Sequence, residues 1–217
     1  MSLLTLHDIV YSYPGDTSNV LNGINYHFEK GTFYAIVGSS GAGKSTLLGL
    51  LAGLDTPTGG QILFDDEDIA EQEYSHHRKH NISLVFQNYN LIDYLTPLEN
   101  LKLVNPKATH ETLHAMGLDD DHINRNVMKL SGGQQQRVAI GRALVSSAPI
   151  ILADEPTGNL DEATAADIIT ILRQAAHENN KCVIVVTHSK QLAKEADVVL
   201  MLKDKLLRPS KNSKRRN

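Results

Sequence analysis

Nine consecutive residues, Gly38-Ser39-Ser40-Gly41-Ala42-Gly43-Lys44-Ser45-Thr46, combine bare backbone, one amine and adjacent hydroxyls in the spacing G-x-x-x-x-G-K-[ST]. Glycines at 38, 41 and 43 let main-chain N–H groups curl round a polyphosphate with no side chain in the way. A helix that follows directly aims its unpaired N–H groups and positive dipole end at the same anion. Lys44 then reaches the β- and γ-phosphates, and the Ser45 hydroxyl is a ligand for Mg²⁺. The reading requires strand, loop and helix in that order. The β-prone run Phe33 to Val37 precedes the loop, and a helical run from Thr46 to Leu54 follows it. The sequence thus implies a binder of nucleoside triphosphates. A dinucleotide site is excluded, because Gly41-Ala42-Gly43-Lys44-Ser45-Thr46 ends in threonine where G-x-G-x-x-G requires glycine.

Two further runs carry chemistry. Asp154 and Glu155 close the apolar stretch Ile150-Ile151-Leu152-Ala153. Carboxylates at the C-terminal end of a parallel strand face the crevice in which α/β ligands sit. There Asp154 is suited to hold Mg²⁺, through water, and Glu155 to orient and deprotonate an attacking water. Leu130-Ser131-Gly132-Gly133-Gln134-Gln135-Gln136-Arg137 opens a helix with a second bare backbone. By itself that run fits two roles, a phosphate cradle or an ordinary N-cap with a flexible lead-in.

The elements that must position these residues follow from periodicity. Apolar runs at Phe33–Val37, Ile82–Phe86, Pro149–Ala153, Cys182–Val186 and Ala196–Leu202 read as strands, the last taken as the final strand of the chain. Helical segments fill the stretch from Asn88 to Ser147, with Thr96-Pro97 as an N-cap pair. Asp161 caps an amphipathic helix whose Ala165, Ile168, Ile169, Leu172 and Ala176 share one face. Strands alternating with helices imply an α/β fold with a largely parallel sheet covered on both faces. The chain has 217 residues and a formal net charge of −4, which suits one domain and gives no reason to expect nucleic-acid binding. Met1 to Val10 lacks the pattern of a signal peptide, and no apolar stretch is long enough to cross a bilayer. Cys182 reads as a buried hydrophobe in a reducing compartment. His76-His77-Arg78-Lys79-His80 reads as a solvated face rather than a metal site, and Asp65 to Asp68 lacks the spacing of a calcium loop. The basic tail Lys211 to Arg216 reads as a solubilising end, with contact to anionic lipid as the other reading.

Phosphate loop, Leu-Ser-Gly-Gly-Gln and an apolar strand ending Asp-Glu-Pro-Thr, in that order, resemble the ATP-binding cassette (ABC) ATPases over essentially the whole chain. The resemblance implies a P-loop, RecA-like α/β core (1–87 and 146–217) with an N-terminal antiparallel β subdomain, and an inserted helical subdomain (88–145). It implies that Tyr13 stacks on adenine, with Tyr11 as competitor. Gln87 then touches Mg²⁺ and water, His188 contacts the γ-phosphate, and Asp161 lies in a loop that crosses to the opposite subunit. Ser131, Gly132, Gly133 and Gln134 become the family's signature, which meets the γ-phosphate of a nucleotide held by a second copy. ATP and Mg²⁺ are the implied cofactors, and a head-to-tail homodimer is the implied partner. Phe86 to Thr96 with Glu99-Asn100 resembles the MacB- and LolD-like branch, which serves peptide, lipoprotein and antimicrobial export. Within that run, Leu91 to Thr96 is similar to ATPases of bacteriocin-type exporters. That branch implies a separate permease received near residues 87–103, and a cytoplasmic chain peripheral on the inner face of the membrane. A module that regulates a macromolecular complex instead of transport is the alternative. Lys203-Asp204-Lys205 departs from the glycine usual in the family's last turn.

Overall fold

The computed structural model describes residues 2–210, so the basic tail lies outside the described residues. Strands β1 (Ser2–Tyr11), β2 (Leu21–Glu29) and β3 (Phe33–Val37) lead into helix α1 (Lys44–Leu51). Next come β4 (Gly59–Phe64), β5 (Glu67–Asp68), α2 (Tyr74–His80) and β6 (Ile82–Val85). Helices α3 (Pro97–Lys102), α4 (His110–Ala115), α5 (Asp120–Ile123) and α6 (Gly132–Leu144) follow. The chain closes with β7 (Ile150–Asp154), α7 (Glu162–His177), β8 (Cys182–Val186), α8 (Lys190–Glu195), β9 (Val198–Lys203) and β10 (Leu206–Pro209).

Two sheets result. One is antiparallel with order β2-β1-β4-β5, and the other has order β10-β9-β3-β8-β7-β6. In the larger sheet β6, β7, β8, β3 and β9 are parallel and β10 is an antiparallel edge. The apolar strands are buried on both faces, and alternate residues serve different cores. Tyr34, Ile36, Leu152 and Ile184 pack towards α1 and the antiparallel sheet. Phe33, Ala35, Ile151 and Val183 pack towards α6, α7 and α8. Continuous hydrophobicity is what a doubly covered parallel strand requires. Between β6 and β7 the helices gather a third core around Leu101, Leu113, Ile123, Val127 and Val138.

Three expectations are corrected. Ala196–Leu202 does not hold the final strand, because β10 pairs back on β9 through a turn at Asp204 and Lys205, both with positive φ. Helix α1 starts at Lys44 rather than Thr46 and stops at Leu51, beyond which Gly53 turns left-handed with φ 66°. His77 is not on a solvated face: it is 0% exposed, and its Nε2 lies 3.0 Å from the carbonyl oxygen of Leu51. One turn of α2 thereby locks onto the end of α1.

Candidate functional site

The C-terminal ends of β3, β7 and β8 open on one edge of the parallel sheet, where the phosphate loop, Asp154-Glu155 and His188 emerge. They border a cleft of about 640 Å³. The loop's shape depends on glycine at two points. Gly43 caps α1 with φ 96°, and a Cβ there would come 2.9 Å from Val20 Cγ1. A Cβ on Gly38 would lie 2.5 Å from the Leu202 carbonyl oxygen of β9. The loop is thus wedged against its neighbouring strand. Lys44 is 8% exposed, and its Nζ donates to the carbonyl oxygens of Gly38 and Ser39, each at 3.1 Å. The same ammonium lies 3.1 Å from Nε2 of His188.

Asp154, at the end of β7, borders the cleft together with the Ser45 hydroxyl. Burial lifts its carboxyl above the ordinary value, and the nearby Ser45 hydroxyl works against the lift. Glu155 departs from strand geometry with φ 44°. Its Oε2 accepts from the Thr187 hydroxyl at 3.0 Å and from the His188 N–H at 3.1 Å. Its Oε1 is buried, has no hydrogen-bond donor, and lies 3.5 Å from His188 Nε2. One oxygen of this carboxylate is therefore clamped by backbone and hydroxyl while the other keeps its acceptor capacity. An acceptor held in that way suits removal of a proton from water.

The remaining expected residues divide. Gln87 borders the cleft. Tyr13 does too, 45% exposed, with its hydroxyl 2.7 Å from the Thr46 hydroxyl. Its competitor Tyr11 is buried behind it, edge-to-face at 5.2 Å. Ser131 to Gln134 and Asp161 do not border the cleft. Ser131 caps α6 reciprocally with Gln134, donating its N–H to Gln134 Oε1 at 2.8 Å. Asp161 caps α7 and accepts from the Thr164 hydroxyl at 2.7 Å. A Cβ on Gly133 would stand 2.8 Å from Thr164 Cγ2, so cap and signature meet side by side. Val20, Gly158 and Thr187 were not singled out from sequence. Val20 and Gly158 border the cleft. Thr187 is 0% exposed beneath Glu155, and only its place before His188 hinted at it.

The sequence model of the family described as ABC transporter matches residues 21–158, from β2 past Glu155. The chain belongs to the ABC transporter family. YclH of Bacillus subtilis, called an uncharacterized ABC transporter ATP-binding protein, is 41% identical, with 93% of this chain and 94% of that one aligned. The macrolide export ATP-binding/permease protein MacB of Brucella melitensis is 41% identical over 93% of this chain, which spans only 33% of MacB. The lipoprotein-releasing system ATP-binding protein LolD 1 of Rhodopseudomonas palustris is 38% identical, covering 93% of this chain and 96% of its own. A solved dimer of MJ0796, a cassette from Methanocaldococcus jannaschii, superposes with a TM-score of 0.87 at 35% identity, over 99% of this chain and 100% of that one. A second MJ0796 dimer, described as a post-hydrolysis state bound to ADP and Pi, gives a TM-score of 0.86. The chain is thus an ABC ATPase cassette, and both MacB and LolD are among its relatives.

Proposed function

We propose that this ABC cassette is the ATP-hydrolysing motor subunit of a membrane transporter, working as a head-to-tail dimer on a separate permease chain. One observation carries the reading. Lys44, Ser45, Gln87, Asp154, Glu155 and His188 converge on one cleft, whereas Ser131 to Gln134 do not border it. A second copy turned to meet the first would supply the missing side of each site, and the MJ0796 cassette is itself dimeric.

In this reading the loop amides and Lys44 bind the phosphates, and Tyr13 packs on adenine. Ser45, Gln87 and Asp154 offer hydroxyl, amide and carboxylate oxygens, a donor set that suits Mg²⁺. When bound, the ion neutralises charge on the β- and γ-phosphate oxygens. Glu155 takes the proton of the attacking water on its free oxygen, and Thr187 fixes the carboxylate's direction. His188, beside both Lys44 and Glu155, contacts the γ-phosphate. The Ser131 hydroxyl and the first amides of α6 complete the cage in trans.

Residues 88–145 act as the helical subdomain that faces the permease. Among the described residues no helix is long and apolar enough to cross a membrane, and in this reading a separate permease supplies the span. Its cytoplasmic face would hold this chain. The names of MacB and LolD, macrolide export and lipoprotein release, support export or extraction of peptides, lipoproteins or antimicrobials as the work done.

Glu155→Gln tests the assignment. It should retain ATP binding, lose about 10²–10⁴-fold in turnover, and run as a dimer on size exclusion with ATP but not ADP. Unchanged turnover would remove Glu155 from the role of base.

A further inference from the structure

His122 has no part in the reading above, yet its side chain is built into the signature. It sits on α5, half-buried, with Nε2 2.7 Å from the Gln134 side-chain amide nitrogen. Its other nitrogen, Nδ1, lies 2.7 Å from Asp119 Oδ1 without a hydrogen bond to it, that oxygen accepting the His122 backbone N–H at 2.8 Å. With Gln134 Oε1 facing the Ser131 N–H, the Gln134 amide nitrogen donates to His122 Nε2, which requires the neutral tautomer with the proton on Nδ1, the side facing the Asp119 carboxylate. Gln134 Oε1 in turn accepts the Ser131 N–H at 2.8 Å, one half of the reciprocal cap of α6. Asp119, His122, Gln134 and Ser131 thus form one chain of contacts that ends at the proposed γ-phosphate cradle.

We propose that His122 is a positioning residue for the signature, holding Gln134 and the Ser131 cap in place while its ring is neutral and releasing them when it is protonated. The inference rests on the role proposed for Ser131. A protonated ring would turn an N–H towards the Gln134 amide N–H₂, donor against donor. Flipping the amide relieves that clash only by facing its N–H₂ to the Ser131 N–H, so one of the two bonds is lost either way. Other charged groups of the neighbourhood are engaged elsewhere. Asp120 contacts His114 of α4 at 2.9 Å, and Asp121 contacts Arg125 at 3.2 Å. From α6, Arg137 is directed at the Met116 carbonyl and at Asp167 of α7. On α3, Glu99 caps its own helix through Thr96. Asp119 is the carboxylate against the ring.

The test compares the full chain with His122→Gln, whose side-chain oxygen offers an acceptor near the Nε2 position and does not titrate. kcat and KM for ATP are measured from about pH 8 to about pH 5.5, the interval in which imidazoles change charge. At the alkaline end the two proteins should match. Towards acid, wild-type kcat should fall more steeply, to roughly a tenth of the variant's, with KM unchanged. The ratio of the two profiles is read because His188 is present in both. ATP-dependent dimer formation in a Glu155→Gln background should follow the same ratio. Superimposable profiles would overturn the proposal, as would a folded, ATP-binding His122→Gln chain inactive at every pH. Ser131→Ala, run in parallel, separates two failures. If it loses turnover while the profiles superimpose, only the relay falls; if it turns over normally, the proposed role of the signature falls with it.

Discussion

Glu155 owes its orientation to a side chain that never reaches the cleft. Thr187 donates its hydroxyl hydrogen to Glu155 Oε2 and accepts the Ser189 N–H at 3.0 Å, which fastens the carboxylate to the start of α8. Thr187→Val keeps the shape and removes the hydroxyl, leaving a buried carboxylate oxygen and a backbone N–H without that partner. The expected cost is about 1–3 kcal/mol of orientation, read as roughly a tenfold loss in kcat with the affinity for a fluorescent ATP analogue unchanged. A loss of affinity with unchanged kcat would show Thr187 supporting the loop instead of the base. Lys44, Ser45, Asp154 and Glu155 were legible as candidates because each is tied to a local pattern, a loop between strand and helix or a strand ending in acid, whereas Tyr13, Gln87 and His188 came only from the family resemblance. Thr187 was not legible, because its role depends on β7 and β8 lying side by side. Neither sequence segment records that adjacency.

Elements were legible where their period ran long enough. Helix α7, with 16 residues, buries Ala165, Ile168, Ile169, Leu172 and Ala176 as its spacing requires. Helix α2 has seven residues, four of them basic in the last turn, and too few turns to reveal an inner face. Its buried residue is His77, whose hydrogen bonds to Leu51 and Asn81 satisfy both ring nitrogens. Strand β10 was missed for another reason. It is a short edge strand ending in proline, entered through Asp204 and Lys205 rather than the glycine such turns favour. His77 has a consequence for acid stability. Burial pushes its pKa below the ordinary value, so on lowering the pH the unfolded chain binds this proton first. The contribution is complete above the unfolded value of about 6.5 and is lost below it, down to the folded-state value. His77→Gln cannot titrate. It should cost about 1–3 kcal/mol at neutral pH through altered buried bonds, yet flatten the fall of Tm between about pH 6.5 and pH 5. An equally steep fall in the variant would assign the acid sensitivity to other groups.

The whole molecule presents two unfinished surfaces, and each makes a prediction. On the helical side Tyr94 is 80% exposed and Leu103 60% exposed, while Leu91 is partly buried against two cores. A charge at Leu91 would damage packing, so Tyr94→Glu is the cleaner probe of the proposed permease contact. It should abolish transport in membranes and leave the ATPase rate of the isolated chain within about twofold, since a lone surface substitution barely perturbs the fold. The other surface is the cleft, which in the proposed dimer faces the second copy. Ser40 and Ser131 are both exposed, and the Ser131 run does not border its own chain's cleft. Cys182 is the chain's one cysteine, 0% exposed, and burial pushes its thiol well above the ordinary range. Thiols introduced by Ser40→Cys and Ser131→Cys would therefore be the reactive ones. Made together in the slowly hydrolysing Glu155→Gln chain, they should form a disulfide-linked dimer under mild oxidation with ATP and far less with ADP. Only a copy turned head to tail brings the phosphate loop of one chain against the signature of the other. Equal cross-linking with ADP, or none with ATP, would mean that the cage around the γ-phosphate is not shared between two chains.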